Sequence, residues 1–389
     1  LFFHFHSGEI PVSNTKTGFA KAKKGDYLPN LPYFVVAHTQ TPMMIWGDTA
    51  VAKTAMTEQY ATRNCRKGFH AFLPTHHLPE ELSGIPVVYR EDAIVKMLAL
   101  DWVNDLKLPD MWLHLDEYNT GGPMMRALML SALTEHRIGT IKFHPSLIIT
   151  AGANPPEKAP NAAPLEPSVA NRFVHWQWQT PVQSFLEGIE KDEFSCPDYP
   201  IPVNWELGTR SWGSKVRMFL ESKPEFLQAE TIDADQMAFP SLRTWKYVRN
   251  GCAALESVDA PAKAFTDYVA ACIGKTAASM FVQFATSLDL YNAREVMEGT
   301  QKVDYNAPID RLLQLPPALI FHAQRLNNEG QLSSEMIDNA FIVLLELGER
   351  GSPEAVKKPL ATIATIKPDY RPPAAYRQRF GQLLAQIMA

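Results

Sequence analysis

The residues best placed to do chemistry end a short segment, GDTAVAKT, in which Lys53 and Thr54 close a turn begun by Gly47. Successive backbone N–H groups at a strand-to-helix turn converge on an anion; a lysine adds positive charge and a hydroxyl reaches a divalent cation. On this reading Gly47, Asp48, Thr49, Ala50, Val51 and Ala52 wrap the phosphates. Lys53 meets the β- and γ-phosphates, and Thr54 ligates Mg²⁺. The ligand is ATP. A phosphate-binding loop of the form GxxxxGK[ST] carries glycine where this chain has Ala52. If that residue needs a positive φ, its methyl group costs about 1–2 kcal/mol.

A second segment, MWLHLDE, reads as a buried strand that delivers Asp116 and Glu117 to the carboxyl edge of a sheet, where open α/β folds bind ligands. Asp116 suits the Mg²⁺ shell, mostly through water, and Glu117 suits a general base for an attacking water. Farther along, LIITAGANP ends in Asn154, an amide placed to hold that water, and SVANRF supplies Arg172 for a γ-phosphate bound by a neighbouring subunit. In FPSLRTWKYV, Arg243 falls in the first turn of a helix and suits a nucleotide-sensing role. Each has a plainer alternative. The octet reads equally as a chance strand-to-helix turn, Asp116 and Glu117 as solvated acids, and Asn154 as the start of a Pro-rich turn. Arg172 and Arg243 read as surface charges.

Short apolar runs alternating with longer amphipathic ones from Pro42 onward predict a parallel sheet covered by helices. Strands are expected over Pro42–Trp46, Phe69–Pro74, Met111–Leu115, Leu147–Ala151 and Val174–Trp178. Helices are expected over Thr54–Asn64, Glu91–Asp105 and Pro123–Thr134. An acidic, Pro-rich stretch between Glu187 and Pro202 marks a boundary. Beyond it, Trp205–Leu220, Ser241–Ala254, Ala260–Ile273 and Lys275–Leu288 carry helical periodicity, as do Pro316–Asn327, Ser334–Gly348 and Ala375–Met388. The expected division is a polar N-terminal segment (1–41), an α/β core (42–190), a helical lid (191–289) and a helical extension (290–389). Trp176 and Trp178 read as same-face packing; Met124, Met125 and Met129, at helical spacing, read as core or interface.

With 389 residues, 46% hydrophobic and 20% charged, the composition is that of a globular protein, and a net charge of −5 gives no field that gathers nucleic acid. The four cysteines, Cys65, Cys196, Cys252 and Cys272, lie far apart with no metal-ligand spacing, which predicts buried free thiols in a reducing, cytoplasmic setting. No apolar run is long enough for a membrane span. The opening LFFHFHSGEIPV lacks both an initiator methionine and a signal-peptide layout, and suggests a clipped start. His4 and His6 share a face but lack a third ligand, whereas adjacent His76 and His77 point apart in an extended segment.

Taken in order, these segments resemble an AAA+ ATPase, closest to the MoxR group. GDTAVAKT resembles Walker A, LHLDE Walker B, GANP sensor 1, NRF the arginine-finger segment and FPSLRTW sensor 2. LPEELSGIPVV (Leu78 to Val88) is similar to the group's insert around the second helix, and ALTEHRIG (Ala132 to Gly139) to the approach to its pre-sensor hairpin. The resemblance spans residues 40 to 290. It implies a P-loop αβα core with a parallel sheet, an α-helical lid, and a homo-oligomeric ring, commonly a hexamer, with ATP and Mg²⁺ at subunit boundaries. It further implies chaperone-like remodelling or maturation with a partner bearing a von Willebrand factor A domain. Ala50 and Ala52 stand where relatives usually carry glycine. That departure leaves a rival expectation: a catalytically impaired AAA+ scaffold that has lost productive ATP binding.

Overall fold

The computed structural model describes residues 28–388 apart from 65–67, 92–93, 99, 160, 181, 192–195, 230–236, 288–290, 308, 351–352 and 368–369. The readings made on His4, His6, Cys65 and the opening segment lie outside the described residues. Helix α1 (Leu31–Ala37) leads into strand β1 (Met43–Trp46), which passes through the Lys53 turn into α2 (Lys53–Asn64). There follow β2 (Gly68–Phe72), β3 (Met111–Leu115), α3 (Pro123–Glu135), β4 (Ile148–Ala153), β5 (Val174–Gln177) and α4 (Val182–Lys191). The five strands form one sheet in the order β2-β3-β4-β1-β5, every pairing parallel.

β1 lies between β4 and β5, with Met43 opposite both Thr150 and Val174. Its residues alternate between two cores. Met43 and Ile45 pack with Phe34 of α1 and Tyr60 and Ala61 of α2, while Met44 and Trp46 pack with Met125, Met129 and Ala132 of α3. A parallel sheet must be covered on both faces because its crossover helices lie there. The result is the three-layer αβα core expected. Trp176 and Trp178 share the first of these cores.

Two expectations are corrected. Instead of a helix over Glu91–Asp105, the chain forms an antiparallel hairpin of Ile85–Tyr89 and Ile94–Leu98, then a five-residue helix, Asp101–Asp105. β-Branched and aromatic residues meet across it, Val88 opposite Val95 and Tyr89 opposite Ile94. Such cross-strand pairs fit a pleated surface better than a helix, whose preceding turn restricts their rotamers. The second correction concerns α1, which sits in a stretch read as polar and Pro-punctuated. All seven of its residues are buried. Asn30 sits ahead of it with φ 63°; its Oδ1 accepts from Trp176 Nε1 (3.0 Å) and Gln179 N (2.9 Å), and its Nδ2 donates to Gln179 O (2.7 Å).

The part beyond the sheet is helical. It comprises α5 (Thr209–Ser222), α6 (Leu242–Ser257), α7 (Ala262–Ile273) and α8 (Lys275–Ser287). Their buried Phe219, Trp245, Tyr268 and Phe281 join the core that holds α1 and α2. α6 begins in a capping box, Ser241 Oγ accepting from Thr244 N and Thr244 Oγ1 from Ser241 N. Helices α9 (Leu315–Asn328), α10 (Ser334–Glu349), α11 (Pro353–Ala364) and α12 (Ala374–Met388) belong to a separate apolar cluster running from Tyr291 to Leu383. Among the described residues, Cys196, Cys252 and Cys272 are free and buried, and no helix is long and apolar enough to cross a membrane.

Candidate functional site

Parallel strands deliver their carboxyl ends to one edge of the sheet, and β1, β3 and β4 end there in Gly47, Asp116 and Asn154. The turn from Gly47 to Ala52 is held from below by Gly47 N donating to Ala153 O (3.3 Å) and from the side by Trp178 Nε1 donating to Val51 O (3.0 Å). Within it, Ala50 and Ala52 have φ 60° and 61°. That is the left-handed region, in which a Cβ crowds the following carbonyl. The positive φ weighed for Ala52 is therefore present at both alanines. Alternating left-handed residues turn successive amides toward one centre. From Asp48 to Ala55, no backbone N–H donates to an acceptor among the described residues; the regular ladder resumes at Met56 N, which donates to Ala52 O (3.0 Å). Eight consecutive free amides at the start of a twelve-residue helix form a cradle for an anion.

Lys53 lies at the centre of this edge. Its Nζ donates to Gly47 O (2.7 Å), Asp48 O (2.7 Å) and Asn154 Oδ1 (2.9 Å), which uses all three ammonium protons. Burial lowers its pKa, while the nearby Asp116, Glu117 and Asp48 carboxylates act in the opposite direction. Thr54 Oγ1 donates to Asp116 Oδ2 (2.7 Å), and Asp116 Oδ1 accepts from Glu117 N (3.0 Å). Glu117 itself has φ 47°. A single hydroxyl and a single carboxylate suit Mg²⁺, which keeps most of its waters and takes phosphate oxygens as further ligands. Among the described residues no group of three His, Cys, Asp or Glu suited to a metal occurs.

The two arginines are elsewhere. Arg172 NH1 donates to Ser168 O, and its main-chain carbonyl accepts from Tyr247 OH (3.1 Å). Arg243 NH1 makes a long contact with Asn171 Oδ1 (3.5 Å), an oxygen that also accepts from Ser241 Oγ (2.8 Å). Burial pushes the Tyr247 phenol up to about 12, with the Arg243 and Arg172 charges opposing the rise. Among the described residues no hydrogen bond or ion pair joins either arginine to the Gly47–Thr54 turn, Asp116, Glu117 or Asn154. The structure thus separates the seven candidates into two groups. Lys53, Thr54, Asp116, Glu117 and Asn154 gather at the sheet edge, whereas Arg172 bonds to Ser168 and Tyr247 and Arg243 reaches Asn171.

Several supporting residues escaped the sequence reading. Asn119, fully buried, clamps the backbone of Asn154 from both sides: its Nδ2 donates to Asn154 O (2.8 Å), and its Oδ1 accepts from Asn154 N (3.3 Å). Its place three residues after Asp116 was the available signal. Lys158 reaches back to Asp48, with Nζ donating to Oδ1 (2.7 Å) and Oδ2 (2.8 Å). Both side chains of that pair are more than half exposed, so it contributes little to stability. Beneath Asp116 lies His114, fully buried, its imidazole held neutral by burial at a pKa of about 4. Nothing in residue spacing pointed to it, since a strand interior normally carries apolar side chains.

No protein-family model matches the chain, and no curated protein matches it. Among solved structures 117 chains match, and one of these is the crystal structure of a proposed ATPase from Cytophaga hutchinsonii. The two share 14% sequence identity, the match covers 62% of this chain and 78% of that one, and the TM-score is 0.40. At that distance the likeness carries no argument about chemistry. The functional reading rests on the arrangement at the sheet edge.

Proposed function

We propose that this chain is an ATP-hydrolysing AAA+ protein of the MoxR type that remodels or matures a partner protein. The observation that carries the reading is the run of free amides from Asp48 to Ala55, closed at one end by Lys53 and bordered by Asp116, Glu117 and Asn154. These amides would bind the β- and γ-phosphates. Lys53 would exchange its acceptors on Gly47 and Asp48 for phosphate oxygens while keeping Asn154 as a neighbour. Thr54 and Asp116 would hold Mg²⁺, which supplies charge neutralisation along the triphosphate.

Glu117 would accept a proton from water as the water oxygen bonds to the γ-phosphorus. The bond between that phosphorus and the β–γ bridging oxygen breaks, leaving ADP and inorganic phosphate. Asn154, fixed by Asn119, would orient the water. Arg172 would serve the site of a neighbouring copy, and Arg243 would report nucleotide state from the lid. These trans roles rest on the separation of both arginines from their own chain's phosphate turn. They go with a homo-oligomeric ring, hexameric in the proposal, and with a division into core (42–190), lid (191–289) and extension (290–389). A von Willebrand factor A domain partner and a cytoplasmic setting complete the reading.

A second reading has its own support. Ala50 and Ala52 occupy backbone that favours glycine, and the Lys53 ammonium is already saturated by internal acceptors. Both features fit a scaffold that keeps the AAA+ fold and binds ATP weakly or not at all. Calorimetric titration at millimolar ATP and Mg²⁺ separates the two: heat of association together with phosphate release supports the enzyme, and absence of both supports the scaffold.

A further inference from the structure

His114 is placed on a strand where an apolar residue would be cheaper. A buried imidazole costs desolvation unless its nitrogens are paired. One is paired: Nδ1 lies 2.8 Å from Thr150 Oγ1, across the β3–β4 pairing that sets His114 opposite Thr150. The same hydroxyl accepts from Trp112 Nε1 (2.8 Å). An indole can only donate, so Thr150 Oγ1 must accept there, and its own proton is then available for His114 Nδ1. With that proton donated to Nδ1, the imidazole proton sits on Nε2; the reverse tautomer, Nδ1–H donating to the hydroxyl's second lone pair, would set a bare Nε2 lone pair against the Asp116 carboxylate.

Nε2 is buried and has no hydrogen-bond partner. It faces Asp116 Oδ1 at 3.9 Å, too far for a hydrogen bond but with nothing more favourable for the N–H to meet. The adjoining strand leaves room for the two groups to approach. A Cβ added at Gly152 would lie 2.9 Å from Asp116 Oδ1 and 3.2 Å from His114 Nε2. The other carboxylate oxygen, Oδ2, is the one on Thr54.

We propose that His114 is a positioning residue for Asp116: its Nε2–H closes onto Oδ1 when Mg²⁺ and nucleotide bind, fixing the carboxylate with Oδ2 toward Thr54 and the metal. The chain Trp112–Thr150–His114–Asp116 then runs from the core of the sheet to the cation. The inference rests on the proposed nucleotide site, and it assigns His114 no contact with substrate. Partners of this kind orient a metal-binding carboxylate, and their removal typically weakens metal affinity by about 10–100-fold.

The test measures binding of a fluorescent ATP analogue to the full chain at increasing Mg²⁺, for the parent, His114→Leu, His114→Gln and Thr150→Val. His114→Leu should raise the Mg²⁺ concentration for half-maximal binding about tenfold or more while leaving Mg²⁺-free nucleotide affinity and the melting temperature near the parent's. His114→Gln, whose amide can donate to Oδ1, should recover most of the loss, and Thr150→Val should move the Mg²⁺ requirement in the same direction as His114→Leu. An unchanged Mg²⁺ requirement in folded His114→Leu overturns the role. A parent that binds no nucleotide at any Mg²⁺ concentration instead overturns the site reading beneath it. Independently of binding, nitrogen NMR of the imidazole should show a neutral ring protonated on Nε2; protonation on Nδ1 overturns the proposal even if His114→Leu fails to fold.

Discussion

Replacing Ala50 and Ala52 by glycine tests the most unusual feature of the phosphate turn. At φ 60° and 61°, each alanine carries the left-handed penalty of about 1–2 kcal/mol. Glycine removes it but gives the unfolded chain more freedom, a loss of about 0.5–1 kcal/mol. The net gain is therefore about 0.5–1 kcal/mol per site and roughly 1–2 kcal/mol for the pair if they add, although residues this close can couple. For a cooperative unit of about 150–250 residues this raises the melting temperature by roughly 2–8 °C. Scanning calorimetry on Ala50→Gly, Ala52→Gly and the double variant measures it. Ala361→Gly, at an exposed position inside α11, is the control of opposite sign and should lose about 1 kcal/mol. If the double variant melts lower than the parent, as the control does, the turn is not strained and the reasoning fails. Affinity gives a separate answer. Strain present in both free and bound protein cancels in binding, so tighter ATP binding by the double variant would mean that the two methyl groups obstruct the phosphates themselves.

Glu117→Gln should bind ATP and cut turnover by about 10²–10⁴-fold, seen as retained nucleotide after gel filtration. Arg172→Ala should leave binding intact and reduce turnover by a factor on the order of 10³ or more; parent-like phosphate release in both variants would refute the assigned roles. Gly251→Ala should destabilise the packing of α6 on α7, because the added Cβ would fall 2.1 Å from Tyr268 Cζ in a fully buried ring. A loss of about 1–3 kcal/mol in a denaturant titration is expected, and a parent-like midpoint would show that the helices part freely. Finally, His175 accepts from Trp46 Nε1 (2.9 Å) at Nδ1 and pairs through Nε2 with Ala170 O (2.9 Å), and burial holds its pKa down at about 4. Because the folded value lies below the unfolded 6.5, this histidine costs nothing above pH 6.5 and destabilises the fold progressively toward pH 4, by up to about 3 kcal/mol. His175→Gln should flatten that part of the stability profile, and an NMR titration midpoint near 6.5 for His175 would contradict it.

The sheet was legible because its strands are short apolar runs with turn residues between them, and Met111–Leu115 was placed to the residue. The reading failed where local pattern and tertiary setting disagreed. LPYFVVA is too short for helical periodicity, and only its burial between α2, the sheet, α6 and α7 explains why it folds as α1. The 85–98 hairpin carries apolar residues at spacings that also suit a helix, and pairing across the turn decided the outcome. For the candidate site, residue type and order were enough to pick out Lys53, Thr54, Asp116, Glu117 and Asn154, which the fold brings to one edge. His114 and Trp178 act through contacts made only after folding, so no spacing rule could have singled them out, and Asn119 offered only its place three residues after Asp116.

The buried α1 has a practical bearing on how this molecule can be dissected. A truncation begun at Pro42, where the strand pattern starts, would remove Phe34 from its stack on Tyr199 (4.2 Å between ring centres) and strip Tyr33 from its hydroxyl contact with Thr57 (3.2 Å). Trp176 would lose Asn30 as well. Any excised fragment meant to stand for the sheet-bearing portion should therefore begin before Asn30, or it will present a raw aromatic face and aggregate for reasons unrelated to its chemistry.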